Sequence, residues 1–308
     1  MTGVHGESGA VGAAGGGRGV SGQHDAWLAE QFQQQRGRLR AVAYRMLGSL
    51  EEADDAVQDA WVRCSAGGAD DVVNLSGWLT TIVSRVCLNT LRARAARPET
   101  LAGPRVPDPV LSPAEGPTPE QEALLADSVG LALLVVLDTL APGERVAFVL
   151  HDVFDVPFAE IGAMLDRSAD ATRQLASRAR RRVREAGATE PDGSIAAQRA
   201  VVDAFFAAAR AGDLTTLVGL LDPEVVLRTD GFIGGPAVLH GATTVANAAV
   251  SGANPLAEFQ PVLVNGAVGI LVTLKGRPAA VMAFTVINGR IAAVDGITDP
   301  HRVGKLVG

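Results

Sequence analysis

The sequence predicts two all-α domains followed by one α+β domain. Three features predict it. Up to residue 186 apolar residues recur at three- and four-residue steps, the period of a helix with one buried face. A segment holding seven of the 16 prolines, residues 98–119, divides that helical part in two. Beyond residue 195 two helix-like stretches give way to strand-like runs, the order of an α+β cone or half-barrel.

The 308 residues suffice for two or three domains. Hydrophobic content is 47% but aromatic content only 4%, so the cores must be built mostly from Ala, Leu and Val. No run of about 18 uncharged apolar residues occurs, so no membrane span is expected. The Gly-rich residues 1–25 lack a signal-peptide core and read as a flexible tail. Cys64 and Cys87 have no metal-ligand spacing. They read as buried free thiols, which fits a reducing cytoplasm. No metal or cofactor is expected.

Within residues 25–65, Leu39, Val42, Ala43, Met46 and Leu47 mark one helix. Gly48-Ser49 ends it, and Ser49 can cap the next, which opens with Glu51, Glu52 and Asp54 in its positive first turns. After the loop GGADDVVNLSG, residues 78–96 predict a third helix. Its apolar positions are Leu79, Ile82, Val83, Val86, Leu88 and Leu91, and its charged ones include Arg85, Arg92 and Arg94. Residues 120–186 return to helix in at least three pieces, broken at Pro142-Gly143 and Asp155-Val156-Pro157. In the last domain VVLR, PVLVNG, VGILVTL, AAVMAFTVI and RIAAVDGI read as strands, with hairpin turns at Lys275-Gly276-Arg277 and Asn288-Gly289.

The most informative stretch is PFAEIGAMLDRSADATRQLASRARRRV. Phe158, Ile161, Met164 and Leu165 give a short helix, Asp166-Arg167 a turn, and Ser168 an N-cap. Ala171, Leu175, Ala179 and Val183 then share one face, while Arg173, Ser177, Arg180 and Arg184 lie about half a turn away. That is a helix-turn-helix whose second helix can enter a major groove. Arginine can grip guanine edges bidentately and pair with phosphates. The chain as a whole carries a net charge of -7, and residues 106–160 hold ten acids and one base. The basic patches are therefore local.

These residues resemble the extracytoplasmic-function (ECF) sigma factors of bacterial RNA polymerase. AFVLHDVFDVPFAEIGAMLDRSADATRQLASRARRRV resembles sigma region 4, whereas RLRAVAYRMLGSLEEADDAVQDAWVRC and GWLTTIVSRVCLNTLRARAAR resemble region 2. LAGPRVPDPV is similar to the linker of the SigJ-type subgroup, which also carries a C-terminal SnoaL-like domain of the NTF2-like fold. The resemblance covers roughly residues 26–303. It implies a tail at 1–25, region 2 at 26–104, a linker at 105–125, region 4 at 126–187, a second linker at 188–194 and the SnoaL-like domain at 195–308.

The resemblance also implies partners and roles. Core RNA polymerase, through its β′ and β subunits, and promoter DNA are the expected partners, with an unknown small ligand in the C-terminal domain left open and no membrane. Asp54, Asp55, Gln58 and Asp59 would face polymerase, with Trp61 a core anchor. Val73, Asn74, Trp78, Arg85, Asn89 and Arg92 would handle the −10 element, where a flipped base is read in a pocket. Arg173, Gln174, Ser177, Arg178 and Arg181 would meet the −35 element. Arg182 is expected on the packed side of the helix. In the C-terminal domain, RTDGFIGG and ITDPHRV resemble two regulatory motifs and keep Asp230, Gly231, Asp299 and Pro300. The chain departs from the family at Arg105 (Trp in the family), at Asp108 (Glu), at a missing motif lysine, and at Arg302-Val303. Asp230, His240 and Asp295 are the only polar candidates for a pocket. Two other functions stay open: a stand-alone helix-turn-helix regulator sensing a small ligand, and a cyclase- or isomerase-like enzyme.

Overall fold

The structure is a computed structural model and describes residues 17–66, 72, 74–96, 106–114, 130–186, 193–231 and 237–307. Three helices form the first domain: α1 (Gly17–Leu47), α2 (Leu50–Ala66) and α3 (Leu75–Ala96). Helix α1 reaches back to Gly17, into the segment expected to be tail. Once a helix is nucleated, each further residue is ordered at little cost. Gly48, in the left-handed region at φ 68°, turns the chain between α1 and α2. The faces predicted for this bundle are its core: Leu39, Met46, Leu47, Ala53, Ala60, Leu79 and Val83 are buried. So are both cysteines, whose thiols burial pushes up to about 11 at Cys64 and about 12 at Cys87.

The second domain holds α4 (Leu131–Asp138), α5 (Pro142–Phe148), a π-turn at Val149–Val153, α6 (Phe158–Leu165) and α7 (Ala169–Glu185). Pro142 opens α5 at a position where a missing N–H costs nothing.

The third domain begins with α8 (Ile195–Ala211) and α9 (Leu214–Leu220). It continues through β2 (Leu221–Thr229), β3 (Ala237–His240), α10 (Ala242–Gly252), β4 (Ala257–Val264), β5 (Ala267–Leu274), β6 (Arg277–Ile287), β7 (Arg290–Ile297) and α11 (Pro300–Val307). Strand β1 (Leu111–Pro113) belongs to the same sheet, whose order is β1-β4-β5-β6-β7-β2-β3. Only β2 and β7 pair in parallel. Hairpin turns at Asn265-Gly266, Lys275-Gly276 and Asn288-Gly289 put both central residues at positive φ, the twist a two-residue hairpin needs. This is the predicted α+β order, with β1 and β3 added.

Strand β1 is the main departure from the expected organisation. It lies in the proline-rich linker, yet Leu111, Ser112 and Pro113 pair with Val264, Leu263 and Val262 at the edge of the sheet. An edge strand tolerates proline, because one side of its ladder has no partner. Residues 111–113 of the segment between the two helical domains are therefore an edge strand of the third.

The two faces of the sheet have different neighbours, as the two-residue strand period requires. Val268, Ile270, Phe284, Val286, Ile291 and Val294 face α8, α9 and α10. Val262, Val264, Leu271, Val281, Ala283 and Ile297 face the other way and join one apolar cluster with the cores of both helical domains. The two helical domains and one face of the sheet thus share one apolar interior, while the other face has its own beneath α8, α9 and α10. Arg145 on α5 is buried and donates from Nη1 to the Met46 carbonyl of α1 at 2.8 Å and from Nη2 to Asp138 at 2.8 Å. Arg45 lies 5.1 Å from the centre of the Phe154 ring. Among the described residues no helix is long and apolar enough to cross a membrane.

Candidate nucleic-acid and polymerase interfaces

Helices α6 and α7 form the predicted helix-turn-helix. Asp166 takes the left-handed conformation (φ 55°, ψ 47°) and ends α6, with the Arg167 N–H donating to Gly162 O at 2.9 Å. A Cβ on Gly162 would sit 2.7 Å from the Arg167 carbonyl, so this crossing needs glycine. Ser168 Oγ accepts from Ala171 N at 3.2 Å, the expected cap.

The buried face of α7 is Thr172, Leu175, Ala176 and Ala179. Thr172 replaces Ala171 at its centre because its hydroxyl donates back to Ser168 O at 2.9 Å, which satisfies it without water. At about 100° per residue, the opposite face carries Arg173, Gln174, Ser177 and Arg181, all exposed. Arg173 is ion-paired with Asp170 and lies 5.4 Å from the centre of the Phe158 ring. Arg178 and Arg182 sit on one flank beside Glu144; Arg180 sits on the other and grips Asp152 through Nε and Nη2 at 2.6–3.0 Å. That ion pair raises the Arg180 pKa further. Arg182 is thus at the edge of the packed side, half exposed.

On α3, Arg85, Asn89 and Arg92 form an exposed stripe, as their spacing predicts. Asn74 is the N-cap, its Oδ1 accepting from Gly77 N at 3.0 Å. Trp78 is half-buried against the common core, and Trp61 packs 5.0 Å from Phe32. Val73 lies outside the described residues.

On α2, Asp54 is held by Arg40 through a two-pronged pair at 2.7 and 2.9 Å, whereas Asp55, Gln58 and Asp59 are exposed. Glu51, one turn earlier, pairs with Lys305 of α11 at 2.6 Å. The C-terminal helix therefore borders this acidic face.

The two C-terminal motifs meet the linker at one point. Asp230 Oδ1 accepts from Thr298 N and Oγ1, both at 2.8 Å, and Asp299 caps α11 through the N–H groups of His301 and Arg302. Pro300 opens that helix, and Gly231, at φ 86°, follows Asp230 out of β2. Arg302 then bridges all three segments. It reaches Asp230 at 3.0 Å, Asp108 at 2.6 Å and the Val106 carbonyl at 2.6 Å. Two departures from the family pattern, Asp108 and Arg302, are thus partners. Arg105 lies outside the described residues. Beside this bridge Asn265 exchanges two hydrogen bonds with Val110, at 2.9 and 2.7 Å, and Tyr44 of α1 donates to Asp108 O at 2.6 Å. Burial pushes the Tyr44 hydroxyl well above its ordinary range, so it stays protonated.

The helix-facing side of the sheet is filled by Phe205, Phe206, Phe259 and Phe284, with ring centres 4.5 to 6.1 Å apart. A cavity of about 730 Å³ lies instead on the other side, between α4 and the strands that carry Arg228, His240 and Thr285.

Known proteins share this arrangement. Residues 31–97 match the sigma-70 region 2 family and residues 130–183 the sigma-70 region 4 family. The ECF RNA polymerase sigma factor SigJ of Mycobacterium tuberculosis is 36% identical over 88% of this chain and 92% of its own. The chain belongs to the ECF RNA polymerase sigma factors. A probable ECF sigma factor of the same organism, SigI, is 33% identical over 92% of this chain and 97% of its own. The crystal structure of M. tuberculosis SigJ superposes with a TM-score of 0.70 at 35% identity, covering 89% of this chain and 97% of that one. As an ECF sigma factor the chain binds core RNA polymerase and directs promoter-specific transcription initiation. A sigma factor is a specificity subunit, not an enzyme.

Proposed function

We propose that this conformation is the closed, resting form of the sigma factor, and that its C-terminal domain sets when the form opens. The observation that carries this is the single apolar interior shared by region 2, region 4 and the sheet. The −10 and −35 elements lie about 25 base pairs apart, roughly 85 Å of B-form DNA at ~3.4 Å per pair. Packed helices sit about 10 Å apart. Two domains joined through Arg145 and Met46 cannot read both elements at once. Opening must break that contact and free the linker from the sheet.

In the open form Arg173, Gln174, Ser177 and Arg181 meet the −35 element, with Arg178 on their flank held by Glu144. Arg85, Asn89 and Arg92 track the backbone at −10, with Val73 and Asn74 near the flipped base. The half-buried setting of Trp78 supports an anchoring role over base stacking. Asp55, Gln58 and Asp59, with Asp54 behind them, meet the polymerase β′ subunit, and region 4 meets the β subunit. The protein works in the cytoplasm with polymerase. Asp230, Gly231, Asp299 and Pro300 act as the hinge of the regulatory contact. Asp230 and Asp295 are engaged by Arg302 and Arg228, which supports structural roles over acid-base catalysis. Four phenylalanines fill the helix-facing side of the sheet, so a small ligand that bears on opening would take the cavity on its other face, between α4 and the strands that carry Arg228, His240 and Thr285.

Run-off transcription with purified core polymerase tests it. Arg173→Ala should weaken use of promoters with an intact −35 element by about 1–3 kcal/mol, with little effect where that element is scrambled. Equal losses on both templates would contradict the −35 assignment.

A further inference from the structure

We infer that Glu144 is a positioning residue that withholds Arg178 and Arg182 from the DNA backbone, and so limits sequence-independent binding by region 4. The inference rests on the −35 role proposed for α7.

The geometry is lopsided. Arg178 Nε lies 3.3 Å from Glu144 Oε1, and Arg182 Nη1 lies 3.2 Å from Oε2. The Arg182 contact is an ion pair rather than an aligned hydrogen bond, since Oε2 has no hydrogen-bond donor in place. Arg178 and Arg182 are one helical turn apart, so a single carboxylate faces both. The Glu144 side chain is only 8% exposed, against 55% and 49% for the two arginines. The arginines could leave for water at little cost; the carboxylate could not. If both swung out to phosphates, a buried charge would remain beside the first turn of α5, where Glu144 stands. Phosphates must therefore compete with Glu144 for these two cations.

Asp152 does the same on the opposite flank, where it holds Arg180 with three contacts. Three of the arginines on α7 thus answer to acids of the preceding segment. The outward face carries Gln174, Ser177 and Arg184, with Arg173 and Arg181 paired to exposed acids of their own helix, Asp170 and Glu185, which water screens and DNA can displace. Backbone attraction carries no sequence information, so restraining it raises the ratio of specific to general binding. This also gives the acidic charge of residues 106–160 a local use beside an arginine-rich helix.

The test is the salt dependence of promoter binding by holoenzyme reconstituted from the full chain and core polymerase. Two duplexes serve as probes, one including the −35 element and one ending downstream of it. Each additional phosphate neutralised by the protein steepens the slope of log K against log salt by about 0.9. Glu144→Gln keeps the shape and removes the charge. It should steepen the slope by about one to two units on the longer duplex and leave the shorter one unchanged. Adding Arg178→Ala and Arg182→Ala to Glu144→Gln should reverse that steepening, yet the two alanines alone should change the wild-type slope by less than about half a unit. A slope unmoved by Glu144→Gln, with wild-type preference for the longer duplex intact, overturns the inference. Should Glu144→Gln unfold region 4, the paired alanine variant decides alone: a loss of about one unit or more in the wild type overturns the inference. If the wild type shows no preference for the longer duplex, the −35 reading itself fails instead.

Discussion

Replacing Arg302 by aspartate is expected to open the molecule. Arg302 touches both the linker, at Asp108 and Val106, and the end of β2, at Asp230. Its side chain and both carboxylates are largely shielded, so water screens these pairs poorly. Arg302→Asp would leave three carboxylates facing one another. Breaking a shielded ion pair from one side costs about 3–5 kcal/mol, because the partner charge stays behind without compensation. A loss of about 3 kcal/mol in the docked form shifts its balance with the open form by roughly a hundredfold. Transcription at limiting sigma concentration should rise, and small-angle scattering should report a larger radius of gyration. Arg302→Lys keeps the charge but not the fork, so its effect should be smaller. A compact, unchanged Arg302→Asp variant would show that the bridge contributes nothing to closure.

The second large effect is expected at α2. Asp55 and Asp59 are exposed, whereas Asp54 is tied to Arg40 and Glu51 to Lys305. Reversing Asp55 and Asp59 to lysine inverts the charge that this face offers polymerase, and mismatched charges cost several kcal/mol in an interface. Core polymerase should bind at least a hundredfold more weakly. The unfolding free energy should stay within about 0.5 kcal/mol of the wild type, as exposed substitutions allow. Calorimetric titration against core polymerase checks the first figure and chemical denaturation the second. Normal polymerase binding by a folded variant would move the interface elsewhere. The Lys305–Glu51 pair adds a link between the two predictions, since undocking α11 would release one more acid on this face.

Much of this was legible in the sequence, for local reasons. Ser168, Asp166-Arg167 and Gly162 mark the helix-turn-helix because caps, turns and close crossings each demand particular residue types. The stripe of Arg85, Asn89 and Arg92 follows from helical spacing alone. What stayed hidden depends on contacts between distant residues. Pro107, Pro109 and Pro113 argued against a strand, yet an edge position accepts them, and the partner strand is some 150 residues away. Arg302 and Asp108 read separately as departures from a pattern; only the fold brings them together. Arg178 reads as a base contact by alignment, while the buried Glu144 beside it was one of ten acids in a stretch and gave no sign of which arginine it would hold.

The most direct test of the closed resting form is the distance between regions 2 and 4. Ser65→Cys on α2 and Glu160→Cys on α6 provide exposed label sites. The native thiols are buried, with Cys64 at about 11 and Cys87 at about 12, so they stay protonated and react slowly at neutral pH. Energy transfer between the two labels should be high in the free chain. It should collapse when core polymerase and promoter DNA are added, as the two regions part to span roughly 85 Å of DNA at ~3.4 Å per pair. High transfer that persists in a complex making run-off transcript would contradict the account.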